Sequence, residues 1–88
     1  MFMENSWDKN WRMRRAKGVI LEYMRGIKLG ATLTWCIGCL LGDPGLRDPE
    51  EVKSVLKSIE KDPALIITPE RKNRLKRLKE ALKERGIL

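Results

Sequence analysis

Cys36 and Cys39, three apart in "TWCIGCLLGDPG", are the residues of this chain whose type and spacing most readily suggest chemistry. Such a pair can supply half of a structural zinc site or act as a redox dithiol, and each use makes demands on its surroundings. Zinc normally takes four ligands, commonly two cysteine pairs or cysteines with histidines. The 88 residues include two cysteines and no histidine, so only a site shared across a dimer could reach four thiolates. A thioredoxin-like dithiol sits at the start of a helix that follows a strand, where the helix dipole lowers the pKa of the first thiol. Here no strand precedes, and the N-cap on offer is Thr32, which puts Cys36 about one turn inside its helix. The favoured reading is a pair of buried structural cysteines, because free cysteine packs as a small hydrophobe. Their redox state stays open. Glutamine and histidine are absent while Lys, Arg and Glu abound, a drift seen in thermophiles, some of which keep disulfides inside the cell.

No other catalytic constellation is available. Without histidine there is no Ser-His-Asp or Cys-His arrangement, and the chain has neither a Walker loop nor a G-x-G-x-x-G run. The acids Asp43, Asp48, Glu50, Glu51, Glu60 and Asp62 crowd the middle of the sequence, but helix caps and turns account for most of them. The sequence therefore reads as a non-enzyme, with no catalytic residue, no metal and no cofactor.

Charge is the stronger signal. The net charge is +7, distributed as +4 over residues 1–28, −2 over 29–68 and +5 over 69–88. An anionic partner is met first by the two basic ends. Trp7, Trp11, Arg12, Arg14 and Arg15 interleave aromatic and basic side chains, as nucleic-acid surfaces often do, although tryptophans are also what a small core needs.

These residues must be positioned by a small, helical fold. With 42% hydrophobic and 35% charged residues the chain is globular rather than disordered. Its length fits one domain over 1–88, with residues 1–12 as an N-terminal arm or helix extension and 69–86 as a basic C-terminal helix. The longest uncharged run, Leu29 to Gly42, has fourteen residues, short of the roughly 18 to 20 that cross a bilayer. The N-terminal "MFMENSWDKNWRMRR" lacks the basic start and apolar stretch of an export signal, so a cytoplasmic location is expected.

Ala16, Ile20, Met24 and Ile27 form one helical stripe, with Val19 and Tyr23 beside it; Trp7 and Trp11 could begin that helix with Ser6 as N-cap, and Gly18 lies within it. Leu33, Cys36, Ile37, Leu40 and Leu41 follow Thr32 at helical spacing, and "GDPG" at 42 to 45 stops the helix. Asp48 and Pro49 open a third helix, with Glu51 placed to close a capping box. In it Val52, Val55, Leu56 and Ile59 point inward, and Lys53, Ser54, Lys57 and Ser58 outward. "KDPALIITPE" ends that helix, offers a short strand at Ala64 to Ile67 and restarts a helix at Thr68 and Pro69. The last helix has Leu75, Leu78 and Leu82 on one narrow stripe and closes at Gly86.

The order helix, helix, helix, short strand, helix over "GVILEYMRG…TLTWCIGCLLGDPG…DPEEVKSVLKSIEKDPALIITPERKNRLKRL" resembles winged-helix and related helix-turn-helix proteins across residues 18 to about 78. The resemblance implies a mainly α, four- to five-helix, winged-helix-like domain with at most one or two short strands. It also implies double-stranded DNA as partner, a homodimer, and regulation of transcription as the role. Its third helix would be the reading helix, with Lys53, Ser54, Lys57 and Ser58 facing the major groove. The sequence departs from the pattern in three ways. Asp48, Glu50 and Glu51 are acidic at the end that approaches bases, the connector "LLGDPGLRDP" is long for the motif, and a second wing strand is missing.

The charge map assigns phosphate contacts mainly to Arg12, Arg14, Arg15, Arg71, Lys72, Arg74 and Lys76. The alternative is a helical protein-interaction module without nucleic-acid binding, using Leu29 to Leu41 and the Leu75, Leu78, Leu82 stripe as its interface. On the charge map, replacing three of the arginines flattens the salt dependence of DNA binding by about 0.9 per lost contact. A titration of the triple variant at several salt concentrations checks this, and an unchanged slope removes that surface.

Overall fold

A computed structural model describes residues 9–26, 30, 32–42, 45–46 and 48–88. Among the described residues there are four helices: α1 (Lys9–Arg25), α2 (Leu33–Leu41), α3 (Pro49–Glu60) and α4 (Pro69–Glu84). Trp7 and Ser6, Ile27, and the Asp43-Pro44 turn lie outside the described residues.

Three of the helices start as their sequences dictate. Thr32, Asp48 and Thr68 have extended backbones, and their side-chain oxygens accept from the N–H groups of Trp35 (3.2 Å), Glu50 (2.9 Å) and Arg71 (3.1 Å). Pro49 and Pro69 fill first-turn positions, where no N–H is required. The ends also follow local chemistry. The Gly42 N–H donates to the Gly38 carbonyl at 2.8 Å to close α2, and Gly86, at φ 78°, lets Ile87 donate back to the Leu82 carbonyl after α4. Helix α1 runs unbroken through Gly18, which is exposed and has no neighbour for a side chain to meet.

Each helix buries one stripe. Ala16, Ile20, Tyr23 and Met24 come from α1, Cys36, Ile37 and Leu40 from α2, Val52, Val55, Leu56 and Ile59 from α3, and Leu75, Leu78 and Leu82 from α4. The pattern matches the helical spacing of the sequence, with one departure: Leu41 is exposed at the end of α2. Helix α1 packs against all three of the others, and α2 also packs against α4. No Cα pair of α3 and α4, or of α2 and α3, comes within 8 Å. The leucine stripe of α4 is thus taken up by the chain's own core, and does not form the intermolecular face considered from sequence.

Leu46 joins the core from the α2–α3 connector, which helical periodicity does not reveal. Its N–H donates to the Leu40 carbonyl at 2.9 Å, folding the connector back over the end of α2. The fold-back depends on Gly45, where a Cβ would collide with the Gly42 carbonyl oxygen and the backbone of Leu41.

The segment 64–67 is not a strand. Asp62 accepts from the Ala64 N–H at 3.0 Å through its side chain and from the Leu65 N–H at 3.0 Å through its carbonyl, and the Ile66 N–H reaches the Pro63 carbonyl. A β-prone run needs a partner strand, and no strand exists among the described residues, so the turn chemistry of Asp62-Pro63 prevails. Leu65 and Ile66 pack partly on the core while Ile67 stays exposed. No helix among the described residues is long and apolar enough to cross a membrane.

Leu78 is fully buried, so Leu78→Ala removes its contacts and leaves a cavity, at a cost of about 2 to 5 kcal/mol. Urea unfolding measures this. A loss below about 1 kcal/mol would mean that α4 is not held by this stripe.

Candidate functional site

The cysteine pair lacks the features of a reactive centre. Cys36 is fully buried in the α1–α2 core, and its N–H donates to the Thr32 carbonyl at 2.9 Å, which places it inside the first turn of α2. Burial, with a smaller contribution from nearby Cys39, pushes its thiol up to about 12, so it stays protonated at neutral pH, and the thiolate is the nucleophilic form. Cys39 is half-buried, and neither cysteine is in a disulfide. Among the described residues no group of three or more His, Cys, Asp or Glu side chains could hold a metal.

The arginines named from sequence are mostly engaged within the chain. Arg15 of α1 donates from Nη1 to the Cys39 carbonyl at 2.9 Å, and Arg74 of α4 donates from Nη1 to the Tyr23 carbonyl at 3.2 Å. Both carbonyls lie in the last turn of a helix, where the intrahelical acceptors have no N–H of their own and the dipole favours a cation. A guanidinium from a neighbouring helix thus caps α2, and another caps α1. Arg74 also lies 5.6 Å from the centroid of the Tyr23 ring, over which it is stacked. Burial raises the Tyr23 hydroxyl pKa, against a smaller opposing pull from Arg74. Gly26 makes room for this contact: at φ 66° it ends α1, and a Cβ there would come within 2.9 Å of the guanidinium carbon.

Arg12 pairs with Glu51 at 2.8 Å, both side chains largely buried, and so ties α1 to the first turn of α3. Glu51, expected as a capping-box acid, is one half of this inter-helix tie. Arg71 reaches the Leu65 carbonyl at 3.5 Å, across the 62–68 turn. Arg14 is exposed and lines, with Ser54, a separate recess between α1 and α3.

The lysines have a different distribution. Lys53 and Lys57 on α3 and Lys72, Lys76, Lys79 and Lys83 on α4 line two shallow recesses, of about 360 and 330 Å³, which share Glu60, Lys79 and Lys83 and so form one cleft. The two helices stand apart here, with no Cα of one within 8 Å of the other, and each packs on α1. Among the residues lining this cleft the only acids are Glu60 and Glu80, and Glu60 is paired with Lys79 at 2.6 Å across the gap. Lys57, Lys72 and Lys76 are thereby brought together as candidate anion contacts, beside Lys53, whose Nζ lies 3.5 Å from the exposed Glu50 carboxylate of its own helix.

Lys79 and Lys83 belong to the same face and were missed from sequence. Positions 72, 76, 79 and 83, spaced four, three and four, mark one side of a helix, and that spacing is the signal that could have found them. The arginine contacts had no such signal, since the acceptors of Arg15 and Arg74 are backbone carbonyls on other helices, that of Arg71 is a turn carbonyl, and that of Arg12 is a side chain 39 residues away. The chain matches no family model, and no curated protein and no solved structure matches it.

The buried thiol has two measurable consequences. At pH 8 a disulfide reagent modifies Cys39 first and Cys36 only as the chain opens, whereas both react at once in urea. Because the folded pKa of about 12 lies above the ordinary 9.0, the associated stability is complete below pH 9 and is lost as the pH rises towards 12. Urea midpoints taken at rising pH follow that decline. Equal reactivity of the two thiols in the folded protein would contradict the burial of Cys36.

Proposed function

We propose that this chain is a small DNA-binding protein that holds a duplex by its phosphates through the lysine-lined cleft between α3 and α4. The observation that carries the reading is the convergence of six lysines on one cleft whose two acids include one already neutralised by Lys79. Phosphate neutralisation by such cations, with release of condensed counterions, dominates DNA affinity whatever the fold. The winged-helix-like reading would bring α3 to the major groove, with Lys53, Ser54 and Lys57 at its edge against the flanking phosphates. Regulation of transcription is then the role that fold analogy supplies. A homodimer would double the basic surface, joined through some face other than the leucine stripe of α4.

Arginines and lysines divide the work in this reading. Arg12, Arg15, Arg71 and Arg74 have acceptors inside the chain, so their loss is felt first as stability. Lys72, Lys76 and Lys83 are available to phosphates, so their loss is felt first as binding.

Fluorescence anisotropy of a labelled mixed-sequence duplex at several salt concentrations tests this. The expected result is saturable binding that weakens steeply with salt. Combined replacement of Lys72, Lys76 and Lys83 by Gln flattens the slope by about 0.9 per lysine that meets a phosphate, with an unchanged melting temperature. Arg15→Met and Arg74→Met instead lower the melting temperature. No binding at low salt by folded protein, or an unchanged slope in the lysine variant, overturns the proposal.

A further inference from the structure

We infer that the α3–α4 cleft grips the DNA backbone without reading sequence, and that Glu60 is an internal competitor that occupies Lys79 until a phosphate replaces it. This inference rests on the DNA-binding reading and adds the mode of recognition and the residue that sets its strength. The first half comes from what lines the cleft. Among the described residues its lining is made of lysine, glutamate, leucine and isoleucine alone. Lysine can reach guanine and glutamate can reach cytosine in the major groove, but the planar forks of Arg, Asn and Gln, which read bases with fixed geometry, do not line the cleft, and neither do the aromatic rings that stack on single strands. Lysine is a flexible point charge that suits phosphate oxygens at any base sequence.

A peptide partner fits the cleft less well. Leu56 and Leu75 in its floor are buried, and only half-buried Ile66 and Leu88 and the lysine stems give it apolar surface, whereas the side-chain charge that lines it is six ammonium groups against two carboxylates. The remaining attraction is electrostatic and favours a polyanion with a regular charge spacing, which a duplex provides.

The second half comes from the position of Glu60. It is shared by both recesses of the cleft, and its carboxylate accepts from Lys79 Nζ at 2.6 Å. A carboxylate bound to an ammonium in the middle of a cationic cleft takes the place a phosphate oxygen would take. Its side chain and that of Lys79 are 38% and 37% exposed, so the pair is open to exchange with an anion from solution. Binding then breaks the Glu60–Lys79 contact, forms a Lys79–phosphate contact and leaves a carboxylate beside the DNA. No proton or bond is transferred.

Glu60→Gln is the test, because it keeps shape and removes the competing charge. Glu84→Gln is the control, an exposed acid of α4 outside the cleft lining that gives the same change in net charge. Circular dichroism and thermal melting establish that both variants fold as the parent does. Anisotropy titrations then use three duplexes of equal length and unrelated sequence. The expected result for Glu60→Gln is affinity about three- to tenfold tighter at low salt with no loss of salt slope, since Lys79 meets a phosphate in both proteins and only the competing carboxylate is gone. The change is the same on all three duplexes, and Glu84→Gln produces less than half of it.

Binding that survives with no gain in affinity for Glu60→Gln, or an equal gain in the control, overturns the exchange. Affinities that differ more than about tenfold among the duplexes overturn recognition without sequence, since one mismatched base pair at a read site already costs a comparable factor. If parent and variant both fail to bind any duplex, the DNA-binding reading falls and this inference with it.

Discussion

One helix makes this fold possible. Helix α1 is in contact with α2, α3 and α4, whereas α3 touches neither α2 nor α4 through its backbone. The stripe Ala16, Ile20, Tyr23 and Met24 is therefore the surface on which the other apolar faces meet, and it buries four residues that are each at most 3% exposed. A chain of 88 residues has a small core, and a hub arrangement lets one helix serve three packing contacts. The cleft between α3 and α4 is a direct result, because two helices that lean on a common third need not lean on each other.

Polar ties complete what this small core begins, and they are long-range in sequence. Arg12 to Glu51, Arg15 to the Cys39 carbonyl and Arg74 to the Tyr23 carbonyl each join α1 to a different helix. Two of the three satisfy carbonyl groups in the last turn of a helix, where an unmet acceptor in a half-buried setting is costly. Arginine suits this task because its planar, permanently charged fork can donate while its stem packs on apolar neighbours. Lysine, whose charge sits on a flexible stem, is left for the surface.

Local rules were legible in the sequence to different depths. The caps at Thr32, Asp48 and Thr68 and the inward faces of α3 and α4 follow from caps, prolines and helical spacing, all of which act within a turn or two. Leu46 was not legible, because its burial depends on Gly45 allowing the connector to fold back, and one leucine outside a helix carries no period. The segment from Ala64 to Ile67 was misread because β propensity acts only where a partner strand exists, while the Asp62 turn needs no partner. The basic character of the candidate site was visible in the charge map, but its composition was not. An arginine bound to a backbone carbonyl fifty residues away looks in sequence like any other surface charge, and Lys79 and Lys83 become part of one face only when α3 is set opposite α4.

The separation of the two basic residue types has a chemical consequence. Lysine ε-amines accept acyl groups and lose their charge, whereas guanidinium groups are inert to the same reagents. Acylation would therefore neutralise the rims of the cleft while leaving Arg12, Arg15 and Arg74 on their acceptors. Glu60, released by loss of the Lys79 charge, would then stand with Glu80 in a cleft stripped of cations. The same folded molecule would present a negative face where it had presented a positive one.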